Sequence, residues 1–290
     1  MKYLKRLVKP FLSVFLRLKA HGPISRLCSA DVESKLLGDA LEDTVKNNLT
    51  SDEKEWIDRI EALREKLNSS TTKISIIDYG AGEPGFNSNN QGENNDRVIT
   101  RTIGEVCREA SKPYFWSLLL FKLIRNFRPS FCLELGTCVG VSASFQAAAL
   151  KLNGCGSIAT LEGAKSLASL AEENFQELGL DNVNLIIGRF QETLDNVLKT
   201  YNSIDFVFID GHHDERATIA YFYKIMPFLS RGALLVFDDV SWSKGMKNAW
   251  KTIQIDERVK FSIDLWQIGV CIIDGRIEKR KNIKIPLLAP

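Results

Sequence analysis

Two apolar runs in the last third of the chain each deliver acids at their downstream end, and two histidines follow the first. Ile204-Asp205-Phe206-Val207-Phe208-Ile209 runs into Asp210-Gly211-His212-His213, and Ala233-Leu234-Leu235-Val236-Phe237 runs into Asp238-Asp239. Short β-branched and aromatic runs bounded by Gly and Asp read as buried strands. In an open α/β sheet, ligands sit beyond the carboxyl ends of the strands. Asp210, Asp238 and Asp239 are therefore expected at one rim, beside two of the chain's three histidines. Gathered carboxylates suit a hard cation, and a neutral imidazole can accept a proton near neutral pH.

Two glycine-bearing turns could serve such a rim. Gly80-Ala81-Gly82-Glu83-Pro84-Gly85 has the spacing of a dinucleotide fingerprint. That chemistry needs a helix whose first N–H groups meet the phosphates. Phe86-Asn87-Ser88-Asn89-Asn90 follows instead, so a loop or lid fits better. The turn Glu134-Leu135-Gly136-Thr137-Cys138-Val139-Gly140 follows the apolar Phe131-Cys132-Leu133 and opens a helix. Cys138 replaces the middle glycine, so the turn is not built for close approach to a pyrophosphate. Ile158–Leu161 then ends in Glu162-Gly163, a carboxylate placed for ribose hydroxyls. The pocket should hold a nucleoside without demanding a diphosphate.

With these motifs in this order, residues 131–273 resemble the class I S-adenosylmethionine-dependent methyltransferases, in particular the catechol O-methyltransferase-like group. The resemblance implies a Rossmann-like α/β fold, a doubly wound, mostly parallel sheet of seven strands. It implies that Glu134, Gly136, Thr137 and Gly140 form the turn around the methionine part of the cofactor, with Ser142 on its carboxylate. It places Glu162 and Gly163 at the ribose, Gln191 by the adenine, and Asp210 between cofactor and metal. Asp210, Asp238 and Asp239 would complete a site for Mg²⁺ or another divalent cation. His213 falls where catechol enzymes carry a catalytic lysine. Catalysis would then rest on His213, His212 and Asp210, with a small hydroxylated molecule as methyl acceptor.

The rest of the chain bounds these expectations. With 290 residues, 44% hydrophobic and 26% charged, it is an ordinary globular composition. The net charge of +2 conceals seven basic residues and no acid in residues 1–27, and a net +4 in 276–290, leaving the body at −9. That distribution does not suit a nucleic-acid reader, whose basic residues line one folded face. Six scattered cysteines without a C-x-x-C pair argue for a reducing, cytoplasmic setting. Residues 1–30 read as a basic amphipathic segment, with Leu4, Leu7, Val8, Phe11, Leu12, Phe15 and Leu18 at roughly helical spacing. Such a helix could lie on a membrane through residues 1–20 or pack on the protein itself.

Residues 31–127 read as a helical extension with a Gly/Asn-rich loop. Thr50-Ser51-Asp52-Glu53 has capping-box form, and helices are expected over 31–68, Ile99–Ala110 and Phe115–Asn126. Residues 128–275 form the sheet domain, with strands near 131–135, 157–161, 183–187, 204–209 and 232–238. Runs at 260–264 and 269–273 should pair antiparallel at its edge. Residues 276–290 read as a basic tail. Two other functions stay open: a metal-independent N- or O-methyltransferase with a histidine base, and a membrane-associated binding protein without turnover. A homodimer is compatible with the chain, but nothing in the sequence fixes an oligomeric state.

Overall fold

Helices come first in the computed structural model, which describes residues 2–78, 97–201, 203–274 and 280–289. The Gly80–Gly85 turn and most of the loop up to Arg97 lie outside the described residues. The extension comprises α1 (Lys2–Cys28), α2 (Val32–Lys46), α3 (Ser51–Ser69), β1 (Lys73–Asp78), β2 (Arg97–Thr102), α4 (Ile103–Ala110) and α5 (Tyr114–Phe127). The expected capping box forms: Thr50 Oγ1 accepts from the Glu53 N–H, and Glu53 Oε2 accepts from the Thr50 N–H.

The helix expected from Ile99 begins only at Ile103. Val98, Ile99 and Thr100 belong to β2, which pairs antiparallel with β1, Ile76 facing Ile99. Thr102 ends that strand and caps α4 through a second capping box with Glu105. A Thr-x-x-Glu signal therefore sets this boundary too.

From residue 128 the chain alternates as expected. It runs β3 (Phe131–Leu135), α6 (Val141–Asn153), β4 (Ser157–Glu162), α7 (Lys165–Leu178), β5 (Val183–Ile187), α8 (Phe190–Thr200), β6 (Ile204–Ile209), α9 (Glu215–Ile225), β7 (Leu229–Phe237), α10 (Lys244–Ile255), β8 (Val259–Asp264) and β9 (Gly269–Ile273). The strand order is β10-β8-β9-β7-β6-β3-β4-β5, where β10 is Lys281–Lys284. Among the described residues the sheet thus has eight strands where seven are expected. Part of the expected basic tail lies parallel to β8 and buries Ile285, Leu287 and Ala289 just beyond it. Only Ile283 is apolar within Lys281–Lys284, so the strand carries no alternation to find. β8 and β9 pair antiparallel as expected.

Strand periodicity sends alternate side chains to opposite faces. Phe206 and Phe208 join one cluster with the extension and α6, including Leu37, Ile57, Phe121 and Phe145. Val207 and Ile209 face a second cluster with α8, α9 and α10. The extension therefore shares a core with the sheet rather than hanging from it. α1 buries Ala20, Ile24 and Leu27 but leaves Phe11 (79%) and Leu18 (73%) exposed, with Val14 and Phe15 on the same exposed side.

A buried ion cluster fastens α3 to α5. Lys122 Nζ lies 2.7 Å from Glu53 Oε2, Arg125 Nε lies 3.1 Å from Glu53 Oε1, and Lys122 and Glu53 are both buried. Glu53→Ala is expected to cost roughly 3–5 kcal/mol, because it leaves the buried Lys122 charge only Asp43, at 3.7 Å, among the described residues and removes a cap as well. Denaturant melts of the two proteins would measure it; a loss below about 1 kcal/mol, the worth of an exposed pair, would refute the assignment.

Candidate active site

Four strand ends, those of β7, β6, β3 and β4, converge around the switch point between β3 and β6, where the order of winding reverses. The Asp210 N–H donates to the Leu135 carbonyl at 2.9 Å, which draws the end of β6 against the turn after β3. Gly136 sits at φ +110°, and a Cβ there would lie 2.0 Å from the Asp210 carbonyl oxygen. Only glycine allows that approach. From the end of β4, the Glu162 carboxylate accepts the Cys138 N–H at 2.8 Å and the Ala164 N–H at 2.9 Å. His212 and His213 follow Asp210 with φ of 63° and 40°, and Asp239 has φ 51°. Non-glycine residues in this region are uncommon and concentrate at functional sites.

Together these ends floor a cavity of about 380 Å³, within the range of small-molecule sites. Gly136, Glu162, Gly163, Gln191, Asp210, His212, His213 and Asp239 line it from the sheet side. Ile76, Ile77, Glu109, Ala110 and Lys112 line it from the extension. His213 Nε2 lies 3.7 Å from Asp210 Oδ1, with its ring edge-on to Trp242. His212 faces differently: its Nδ1 shares a 2.7 Å hydrogen bond with the Tyr221 hydroxyl, and its ring meets Phe190 edge-on.

Lys112 completes the electrostatics. It sits between α4 and α5, immediately before Pro113, a position biased away from helical backbone. Its carbonyl accepts from Arg64 Nη1 at 2.7 Å, which fixes the segment. Its Nζ hydrogen-bonds Asp238 Oδ2 and lies 3.2 Å from Asp210 Oδ1. Burial alone would lower the lysine's pKa, but Asp210 and Asp238 hold it above its ordinary value. Burial also works against the Asp238 charge, yet Lys112 outweighs it and holds Asp238 low. Burial and the Asp238 charge push Asp210 well above the usual carboxylate range, and the same two causes raise Asp239.

Residues 133–240 match the family model of the methyltransferase domain. Over that stretch the chain is similar to methyltransferases. It is 30% identical over 121 residues to mouse (Mus musculus) catechol O-methyltransferase, a match spanning 41% of this chain and 45% of that enzyme. Among solved structures, it is similar to an O-methyltransferase of tomaymycin synthesis from Streptomyces achromogenes, in complex with SAM. That chain is 21% identical, covered over 58% of this chain and 83% of its own, with a TM-score of 0.51. A methyltransferase from Podospora anserina with SAH bound is 19% identical, covered over 58% and 81%, also at 0.51. At these identities the solved structures speak for the fold.

In this part of the chain the expected residues divide into two groups. Gly136, Glu162, Gly163, Gln191, Asp210, His212, His213 and Asp239 reach the cavity. Glu134, Thr137, Gly140 and Ser142 do not line it. Glu134 is buried beneath the turn and accepts from Gln146 Nε2 at 2.6 Å and Thr160 Oγ1 at 2.5 Å. The Thr137 and Thr160 hydroxyls lie 2.6 Å apart, which ties the turn to β4. Gly140 caps α6 against Phe175, where a Cβ would lie 2.8 Å from the ring. Ser142 is buried in the first turn of α6. These four shape the turn, and Asp238 stands behind the cavity wall on Lys112. Lys112 itself escaped sequence reasoning. It lies 126 residues from Asp238, and nothing local marks it among 38 basic residues.

The expected metal set forms only in altered form. Asp210, His213 and Asp238 each offer a ligand atom within 4.8 Å of the others, while Asp239 is not in that group. The Lys112 ammonium already bridges Asp210 and Asp238. Mg²⁺ needs oxygens at about 2.0–2.1 Å in near-octahedral array. With Lys112 in place these residues do not fit a divalent ion.

Glu134 gives a pH signature. Burial raises its carboxyl to about 7, above the 4.5 of an unperturbed glutamate, although Thr160, Ser142 and Gln146 act against the shift. A raised carboxyl binds its proton better in the folded state, so stability is greatest below the unfolded value. It is then lost as pH rises from 4.5 to about 7, by roughly 3 kcal/mol in all. Glu134→Gln should flatten that part of the stability profile in denaturant melts. An unchanged slope would show that Glu134 keeps an ordinary affinity for its proton.

Proposed function

We propose that this chain catalyses S-adenosylmethionine-dependent methyl transfer to a hydroxyl of a small molecule. The observation carrying this reading is the meeting of Glu162, Asp210 and His213 around one cavity of a methyltransferase domain. The residues present fit the cofactor. Gly136 and Gly211 let the two turns close on the Asp210 carbonyl and the Phe190 ring beside the cavity, and the Glu162 carboxylate stands at a strand end, where it would accept hydrogen bonds from ribose hydroxyls. When bound, S-adenosylmethionine supplies a methyl group on a sulfonium, which passes to the acceptor oxygen while the bonding pair stays on sulfur and the hydroxyl proton leaves to a base.

The chain's own residues supply what remains. His213, with Nε2 facing the cavity beside Asp210, takes the hydroxyl proton. His212 is held by Tyr221 and Phe190 and serves as wall rather than base. Ile76 and Ile77 from β1 give the acceptor an apolar cover and help exclude water. Between metal-assisted transfer and transfer with a histidine base alone, the lysine on Asp210 and Asp238 favours the second.

The comparison of product binding with turnover separates an enzyme from a binding protein on the same fold. S-adenosylhomocysteine at roughly a hundredfold excess over its Kd should stabilise the chain by about 2.7 kcal/mol. Glu162→Gln should weaken that binding about tenfold, the worth of a hydrogen bond to a charged group. His213→Ala should leave binding unchanged and slow methyl transfer to a hydroxylated acceptor by roughly 100-fold or more. No thermal shift at millimolar S-adenosylhomocysteine would end the methyltransferase reading.

We also propose peripheral contact with anionic membranes through α1. Phe11, Val14, Phe15 and Leu18 are exposed on a helix rich in basic residues, and the described residues hold no helix long and apolar enough to cross a membrane. Replacing Phe11, Phe15 and Leu18 by Ser spares the buried Ala20, Ile24 and Leu27. It should weaken binding to phosphatidylserine-containing vesicles by at least about a hundredfold, each large side chain being worth roughly 1.5–3 kcal/mol when fully buried and tenfold corresponding to about 1.4 kcal/mol. Equal binding of both proteins would remove the proposal.

A further inference from the structure

We propose that Lys112 is a built-in cation of this site: its ammonium takes the place of a divalent metal between Asp210 and Asp238, and it holds the acceptor oxygen during a methyl transfer that needs no metal ion. The inference rests on the methyltransferase reading above.

The geometry carries it. Lys112 Nζ contacts Asp238 Oδ2 and lies 3.2 Å from Asp210 Oδ1, so it uses oxygens from both carboxylates that an ion would need. Its side chain is 12% exposed and lines the cavity. An ammonium has three N–H donors. Among the described residues, its contacts are these two carboxylates, which leaves a donor for a ligand in the cavity. His213 Nε2 lies 3.7 Å from the same Asp210 oxygen, so base and cation flank one point on the cavity floor. A hydroxyl there would lose its proton to His213 while the lysine steadied the growing negative charge on oxygen. The acceptor O–H bond breaks with its proton going to the imidazole, while the acceptor oxygen would take the methyl carbon as the carbon–sulfur bond breaks and its electron pair stays on sulfur.

Position along the chain supports a purpose beyond filling a charge. Pro113 keeps Lys112 out of helical backbone, and Arg64 grips its carbonyl, so the lysine is aimed by the fold. A tethered cation is present in every copy of the protein, at one charge instead of two and without a binding equilibrium.

Mn²⁺ as the probe ion, followed by calorimetry and by the spin resonance of free Mn²⁺, tests this apart from turnover. In the presence of S-adenosylhomocysteine, the wild-type protein should bind no Mn²⁺ at about 1 mM. Lys112→Ala should gain a site that binds at least about tenfold more tightly, and adding Asp238→Asn should abolish it. A purely structural lysine would not convert its socket into a metal site. In turnover, a chelator should leave the wild-type rate within roughly twofold, whereas Lys112→Met should lower kcat by about tenfold or more with product affinity held. Mn²⁺ binding by the wild type that Asp238→Asn removes would overturn the proposal, as would chelator-sensitive activity or a folded Lys112→Ala protein without Mn²⁺ affinity. If Lys112→Ala fails to fold, the wild type and Asp238→Asn still decide. Failure to bind S-adenosylhomocysteine would instead sink the methyltransferase reading and leave the Mn²⁺ result standing.

Discussion

Asp210 and Asp238 are carried to adjacent strand ends and buried there, and that placement must be neutralised before anything else in the site can work. The Asp238 N–H donates to the Ile209 carbonyl at 2.9 Å, so the backbone itself locks the ends of β6 and β7 together. Two carboxylates so close resist joint ionisation, and an unpaired buried charge costs several kcal/mol. The Lys112 ammonium relieves both problems, at the expense of fixing the segment between α4 and α5 over the sheet. The extension's position, the cavity's cover and the charge of the site therefore depend on one ion triad.

That triad explains why the extension is continuous with the sheet core. A lysine can neutralise buried acids only where its backbone is held within reach of them, since its flexible stem sets the range but not the place. The hold comes from Arg64 on α3, which donates to the Lys112 carbonyl, and from α5, whose Phe121 packs with Phe145 of α6. α3 and α5 are in turn fastened by Glu53, Lys122 and Arg125. Deep apolar packing and a second buried ion cluster thus serve the geometry of the first. Substrate choice in a shared fold must come from added parts. Here the added part contributes Ile76, Ile77, Glu109 and Ala110 to the same cavity.

What the sequence made legible follows the range of the interactions. Strand–helix alternation, the acids at the ends of β4, β6 and β7, and the Thr50 capping box are local patterns, and they fold as read. Gly136 and Glu162 were legible because a strand end followed by a turn has one geometry. The resemblance puts Glu134, Thr137, Gly140 and Ser142 around the cofactor, whereas here they shape the turn from beneath without lining the cavity, because a motif records which residues build a turn and not which of its sides each one faces. The strand Lys281–Lys284 lacks alternation, and it forms because the edge of β8 offers a ladder to whatever chain reaches it. Lys112 is the extreme case, since its partners come from distant strands and its own neighbourhood is an ordinary helix connection.

A single tethered charge changes what this site can select. A divalent ion favours acceptors with two vicinal oxygens, which can occupy two coordination positions at once. An ammonium offers single hydrogen bonds and imposes no chelate geometry. If Lys112 acts as cation here, acceptors with one hydroxyl lose nothing relative to catechol-like diols. Discrimination then falls to the apolar cover from β1 and to Glu109 and Ala110. Charge argues in the same direction. Burial and the Asp238 charge push Asp210 above the usual carboxylate range, and Lys112 offsets part of the negative charge beside His213. On the proposed reading, the ammonium gives its electrostatic help to the negative charge that develops as the proton leaves.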